Sequence, residues 1–183
     1  MNKYKMDKKT IFIIAVLVMV IGGYFIMTDN GNKKVLLKTN HGDVTIELYG
    51  DMPITASNFE KLVSEKFYDG VIFHRIIDGF MIQGGDPTGT GTGGPGYKIQ
   101  DEFTRTSLDR NDKYTISMAN SGTNTGGSQF FINLVDNNFL DGKHPVFGKV
   151  VSGIDVVDKI GKVQTGANDK PVEDVVILEA KII

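Results

Sequence analysis

Val44, Ile46 and Leu48 alternate with Thr45 and Glu47, the period of two expected of a strand with one face buried and one face wet. The run 35–39 precedes it across Asn40-His41-Gly42-Asp43, turn-forming residues that join the two into a hairpin. The period then lengthens. After Pro53, whose missing N–H is no loss in a first helical turn, Ala56, Phe59, Leu62, Val63 and Phe67 recur at helical spacing. They predict an amphipathic helix of about 13 residues. Apolar runs at 71–77, 80–83, 114–119, 129–134 and 146–150 predict further strands, and 172–183 a last one. Ile154, Val157, Asp158 and Ile160 mark a short second helix, while the Gly- and Pro-rich stretch 84–96 predicts a long loop. Many strands, two helices and no regular βαβ alternation predict a mainly β fold, a closed or nearly closed antiparallel barrel.

One segment fits neither period. From Ile11 to Met27 the chain carries no charge; about 17 residues at about 1.5 Å each reach about 25 Å, near the short end for a bilayer span. Lys3, Lys5, Lys8 and Lys9 precede it, which predicts an amino terminus held in the cytoplasm and a main domain outside the membrane. A cleaved signal peptide is the other reading, with secretion as its outcome, although Val20-Ile21-Gly22 makes a poor cleavage site. The expected organisation is a basic cytoplasmic tail (1–10), a single-pass cell-membrane anchor or signal segment (11–27), a polar linker (28–34) and one domain (35–183).

Composition narrows the classes. Hydrophobic content of 40% and charged content of 23% suit an ordinary globular core, built mostly on 11 Phe with no Trp. Of 20 basic and 22 acidic residues, five Lys and two Asp fall within residues 1–33. The rest is therefore mildly acidic, which argues against nucleic acid as partner. The absence of cysteine excludes disulfides, thiolate metal sites and a thiol nucleophile. His41, His74 and His144 show no ligand spacing, so no metal site is expected. Residues 89–94 fit the pattern G-x-G-x-x-G, but Pro95 and Gly96 follow where a helix would have to begin, so a loop and not a dinucleotide cofactor is expected. Asp86, after a double glycine, reads as a turn residue.

Arg75, within Phe73-His74-Arg75-Ile76-Ile77, cannot shed its proton in an apolar setting. It is either paired with a carboxylate or presented to a ligand. Strand alternation would put Phe73 with Arg75 on one face, Met81 with Gln83 on one, and Gln129 with Phe131 on one, and His74 on the face opposite Arg75, packed. If those strands adjoin, aromatic, thioether, amide and guanidinium groups gather on one surface, as a groove for an extended proline-containing peptide requires.

Phe73-His74-Arg75, Phe80-Met81-Ile82-Gln83-Gly84-Gly85-Asp86, Ser117-Met118-Ala119-Asn120, Gly127-Ser128-Gln129-Phe130-Phe131-Ile132 and Leu140-Asp141-Gly142-Lys143-His144 before Val146-Phe147-Gly148 occur here in that order. In these motifs the chain resembles the cyclophilin family of peptidyl-prolyl cis-trans isomerases, in a membrane-anchored prokaryotic form, over nearly all of 34–183. The resemblance implies a closed eight-stranded antiparallel barrel capped by two helices, and no cofactor. It implies Arg75 as the catalytic residue and Phe80, Met81, Phe131 and Leu140 as the proline pocket, with His144 on its wall. Gln83, Ala119, Asn120 and Gln129 would contact the peptide backbone or the arginine. The implied partners are proline-containing peptides and unfolded or exported proteins; the rival reading is a non-catalytic proline-peptide-binding chaperone module. Two positions depart from the family's pattern. Phe139 stands where most cyclosporin-sensitive members have tryptophan, which predicts weakened cyclosporin binding with activity kept. Asp112-Lys113-Tyr114 stands where a Gly-containing turn is usual, which leaves that loop's conformation open.

Overall fold

The computed structural model describes residues 33–103 and 109–183. The expected cytoplasmic tail, the span 11–27 and most of the linker lie outside the described residues. Among the described residues, no helix is long and apolar enough to cross a membrane.

The expected hairpin is present: β1 (Lys34–Thr39) and β2 (Gly42–Leu48) pair with Val35 facing Ile46 and Leu37 facing Val44. The further strands are β3 (Arg75–Ile77), β4 (Met81–Gly84), β5 (Thr115–Met118), β6 (Phe130–Asn133), β7 (Val146–Ser152) and β8 (Ile177–Ile182). All pairings are antiparallel, in the order β3-β4-β6-β5-β7-β2-β1-β8. The expected closed barrel needs correction. No ladder joins the end strands β3 and β8, so the sheet is open. The gap is spanned by the bridge between Ile72 and Val176, by the backbone bonds of Gly70 N–H to Ile177 O (2.7 Å), Phe73 N–H to Val175 O (2.8 Å) and Ile177 N–H to Val71 O (2.9 Å), and by Ala180 N–H to Asp69 Oδ1 (2.9 Å).

Helix α1 (Thr55–Ser64) is shorter than its apolar spacing suggests. The N–H groups of Ile54 and Thr55, which have no partner within the helix, are taken by the Glu102 carboxylate at 3.0 and 2.9 Å, a charge well placed against the helix dipole. At the other end Lys66 adopts a left-handed φ of 57°, the conformation that stops a helix, and Phe67 packs on the core from outside it. Phe59 of α1 packs into the core on the sheet's inner face, with ring centroids 5.4 Å from Phe130, 5.3 Å from Phe147 and 5.0 Å from Tyr68. Helix α2 (Ile154–Ile160) adds Val157 and Ile160 to the same core.

The expected strand 71–77 is regular only from Arg75 onward. Because the chain leaves the β4 ladder at 71–74 to reach the segment before β8, the period of two fails there. Phe73 consequently points into the core, its ring 6.0 Å from Phe130, and does not share a face with Arg75. The sheet's two faces sort the remaining positions. Ile82, Ile116, Met118, Phe130 and Ile132 belong to the core, whereas Met81 and Phe131 are buried outside it, on the opposite face.

Candidate active site

That opposite face carries a row of chemistry. Register places Arg75 across from Gln83, Gln83 across from Phe131, and Phe131 across from Ser117, on four adjacent strands. Met81 lies one pleat along β4, across from Asn133. Phe131 is walled by His144, edge to face at 5.4 Å. His144 Nδ1 lies 3.1 Å from the Met118 carbonyl; a carbonyl only accepts, so Nδ1 donates and the ring's orientation is fixed. Phe80, in the turn before β4, stacks on Phe139 at 5.9 Å. Its carbonyl is held by Asn137 Nδ2 and Leu134 N–H, both at 2.9 Å. Leu140 closes the 3-10 turn Asn138–Leu140 and accepts the N–H of His144.

Arg75 is not clasped in the interior. Its Nε lies 3.4 Å from Asp169 Oδ2, with the two side chains 42% and 47% exposed. A pair this open to water is worth at most about 1 kcal/mol. Its terminal nitrogens have no partner among the described residues and remain available. Asp169 reaches Arg75 from the 3-10 turn Ala167–Asp169, where Asn168 and Asp169 take consecutive left-handed φ values of 60° and 59°.

The amides form a relay anchored in the 86–93 loop. Gln83 Nε2 donates to Gln129 Oε1 at 3.0 Å, and Gln129 Nε2 donates to the carbonyls of Gly91 and Gly93 at 3.0 and 2.9 Å. Those carbonyls are fixed because buried Asp86 accepts the N–H groups of Thr88, Thr90, Gly91 and Gly93 and the Thr88 hydroxyl. Burial alone would push the Asp86 carboxyl up, but these bonds from Gly93, Thr88 and Gly91 outweigh it and hold it well below the usual carboxylate range. Gly93 must lack a side chain, since a Cβ there would sit inside the Asp86 carboxylate. Ala119 N–H donates to the Gln129 carbonyl at 3.0 Å, and Asn120 Nδ2 ties its turn to the Lys143 carbonyl at 2.8 Å.

Apart from Phe73, which the core takes, the residues proposed from the sequence for the groove lie on this face or in the turns bordering it. Two clefts open beside Gln83, which lines both. One, of about 860 Å³, runs along residues 91–98 past Ala119, Asn120 and Gln129; the other, of about 610 Å³, lies beyond Arg75. Asp169 escapes a reading of the sequence, being 94 residues from Arg75 in a stretch without periodicity. His74 is buried as expected, yet it lines the same cleft as Arg75 instead of lying on an opposite face, because the strand alternation fails before Arg75. Neither of its ring nitrogens has a hydrogen-bond partner. Among the described residues, no group of three His, Cys, Asp or Glu could hold a metal ion.

Residues 34–182 match the model of the family described as cyclophilin type peptidyl-prolyl cis-trans isomerase/CLD. Peptidyl-prolyl cis-trans isomerase-like 1 of Gibberella zeae is 47% identical over 157 residues, which cover 81% of this chain and 94% of that protein. A peptidyl-prolyl cis-trans isomerase of Schizosaccharomyces pombe is 49% identical over 150 residues, 80% of this chain and 96% of its own length. Among solved structures, a Cryptosporidium parvum cyclophilin type isomerase superposes with a TM-score of 0.79 at 35% identity, covering 83% of this chain and 98% of that one. The same protein, solved in the presence of the dipeptide Ala-Pro, gives 0.78 at 35% identity over 82% and 98%. With the family model matched over residues 34–182, curated relatives nearly half identical and a solved cyclophilin type isomerase superposing on the domain, this chain belongs to the cyclophilin-type peptidyl-prolyl cis-trans isomerases.

Proposed function

We propose that Arg75 is the catalytic residue and that the patch formed by Phe80, Met81, Phe131, Leu140 and His144 holds the proline ring of a polypeptide substrate. Peptide resonance sets a barrier of about 18–20 kcal/mol to turning the bond. As the bond twists, the prolyl nitrogen becomes pyramidal and gains a lone pair. A guanidinium facing that nitrogen stabilises the twisted form more than either planar isomer, and only such a difference accelerates the step. No nucleophile, general base or metal has to take part. The row Arg75–Gln83–Phe131 carries this reading, because it sets a cation with free terminal nitrogens two strands from a buried aromatic floor. Gln83, Ala119, Asn120 and Gln129 would hold the flanking peptide groups. The test is Arg75→Lys, which keeps the charge and loses the planar fork. Affinity for an Xaa-Pro peptide should hold while turnover falls about tenfold, or about 1.4 kcal/mol of barrier; unchanged turnover would refute the role.

Location belongs to the same proposal. The uncharged run 11–27 behind four lysines supports a single-pass anchor with the isomerase domain outside the cytoplasmic membrane, in the manner of a prokaryotic enzyme serving exported chains. Protease added to intact spheroplasts should remove the domain; full protection would place it on the other side. Cyclosporin is expected to bind weakly, because Phe139, 63% exposed and stacked on Phe80, offers a ring but no N–H.

A further inference from the structure

At the β3 edge of the sheet, two strands from Phe131, the 610 Å³ cleft opens between Arg75, the 86–93 loop and the turn Ala167–Asp169. Its volume falls in the range of ligand sites, about 300–1,000 Å³. Its lining carries two cations, Arg75 and Lys170, against one carboxylate, Asp169. That carboxylate engages only the Nε edge of the guanidinium, at 3.4 Å and largely in water, so the pair is open to exchange. Asp86, behind the loop, is turned toward the loop's donors and offsets part of that positive charge from outside the lining. His74 floors the cleft and is 7% exposed. Burial holds it below its ordinary value, Asp86 offsets part of this, and Arg75 and Lys170 push it down again. The ring is therefore neutral at pH 7, and the cleft's own lining, Asp169 included, carries one more positive than negative side chain.

We propose that this cleft is a second substrate subsite, taking the carboxylate side chain of an Asp or Glu within a few residues of the isomerised proline. The assignment rests on reading Arg75 as the residue at the reacting bond, since Arg75 lines the cleft and stands two strands from Phe131 of the proline patch. An incoming carboxylate meets Lys170 and the unengaged nitrogens of Arg75, and can take the place of Asp169 at the fork. The apolar patch itself has no means of telling charged from neutral neighbours. Sequence preference would therefore be set here, through Lys170.

The experiment compares Xaa-Pro peptides carrying Glu or Gln at each of the positions flanking proline. Affinity is measured by titration and turnover by exchange, on the whole chain, at low and high ionic strength. At one flanking position Glu should bind about 3- to 10-fold tighter than Gln at low salt, and the difference should shrink toward unity as salt screens it. Lys170→Gln, at an exposed turn position, should abolish most of that preference and leave turnover of a neutral peptide unchanged. Equal affinity for Glu and Gln at every position, or a preference that survives Lys170→Gln, would overturn the subsite. Turnover of neutral peptides without a Glu preference sinks the subsite alone. Tighter Glu binding with no turnover of any peptide keeps the subsite and sinks the catalytic reading.

Discussion

Replacing Asp86 by Asn tests how far the active-site amides depend on one carboxylate. Asp86 Oδ2 accepts the N–H groups of Thr90, Gly91 and Gly93 at 3.1, 2.7 and 3.0 Å, and Oδ1 accepts those of Thr88 and its hydroxyl at 2.7 and 2.8 Å. An Asn would best keep its oxygen at the Oδ2 position, leaving its amide facing the Thr88 N–H, donor against donor. One bond and the full charge are lost, and bonds to charged groups are worth about 1.5–3 kcal/mol each. The expected destabilisation at pH 7 is therefore about 2–4 kcal/mol, read by urea unfolding. Because the folded-state pKa of Asp86 is depressed, its contribution is fully present above the unfolded value of about 3.9. It is lost as pH falls through that value toward the lower folded one. The gap between wild type and Asp86→Asn should then close by about 1.4 kcal/mol per pH unit below about pH 4. Loosening Gly91 and Gly93 also releases Gln129, so turnover should fall several-fold. A variant as stable as wild type at pH 7, or a gap that stays constant into acid, would refute the reasoning.

Tyr114 takes a left-handed φ of 66° where the family usually turns on glycine, and its hydroxyl donates to Asp158 at 3.0 Å. Tyr114→Phe keeps the backbone strain and loses that bond, so thermal or urea unfolding should show about 1 kcal/mol of destabilisation, with turnover unchanged. Gly93→Ala should reproduce the Asp86→Asn loss of turnover, because the added methyl forces the loop off the carboxylate; peptide exchange rates at wild-type level would contradict it. Phe139→Trp should raise cyclosporin affinity about 5-fold in an inhibition titration, the value of one restored hydrogen bond, and should leave peptide turnover as it was.

The site was legible wherever a strand kept its period of two. Alternation paired Met81 with Gln83 and Gln129 with Phe131, and the adjacency of their two regular strands, a condition the sequence left open, then brought them to one face. Phe73 was misplaced because the chain at 71–74 pairs with the segment before β8, not with β4. The same detour is what spans the open edge of the sheet, so the barrel's closure could not be read from strand number. Long-range polar contacts left no trace in local pattern. Glu102 caps a helix 47 residues away, and Asp169 meets Arg75 from a turn whose geometry depends on two left-handed residues. Asp86 could be recognised as a turn residue; that its turn holds Gln129 depends on how residues 87–93 wrap around it.

The most direct measurement is exchange NMR on an Xaa-Pro peptide with wild type and Arg75→Ala, binding and interconversion being read from the same titration. Arg75 lies half-exposed at the edge of the sheet, outside the core, so the variant should fold and bind the peptide within about 3-fold of wild type, as expected when only a partly exposed side chain is removed. Its rate of cis-trans exchange should drop about 100-fold, the scale of losing one preorganised charge at a reacting atom. Exchange at the wild-type rate, or a loss of binding that accounts for all the lost turnover, would contradict Arg75 as the catalyst.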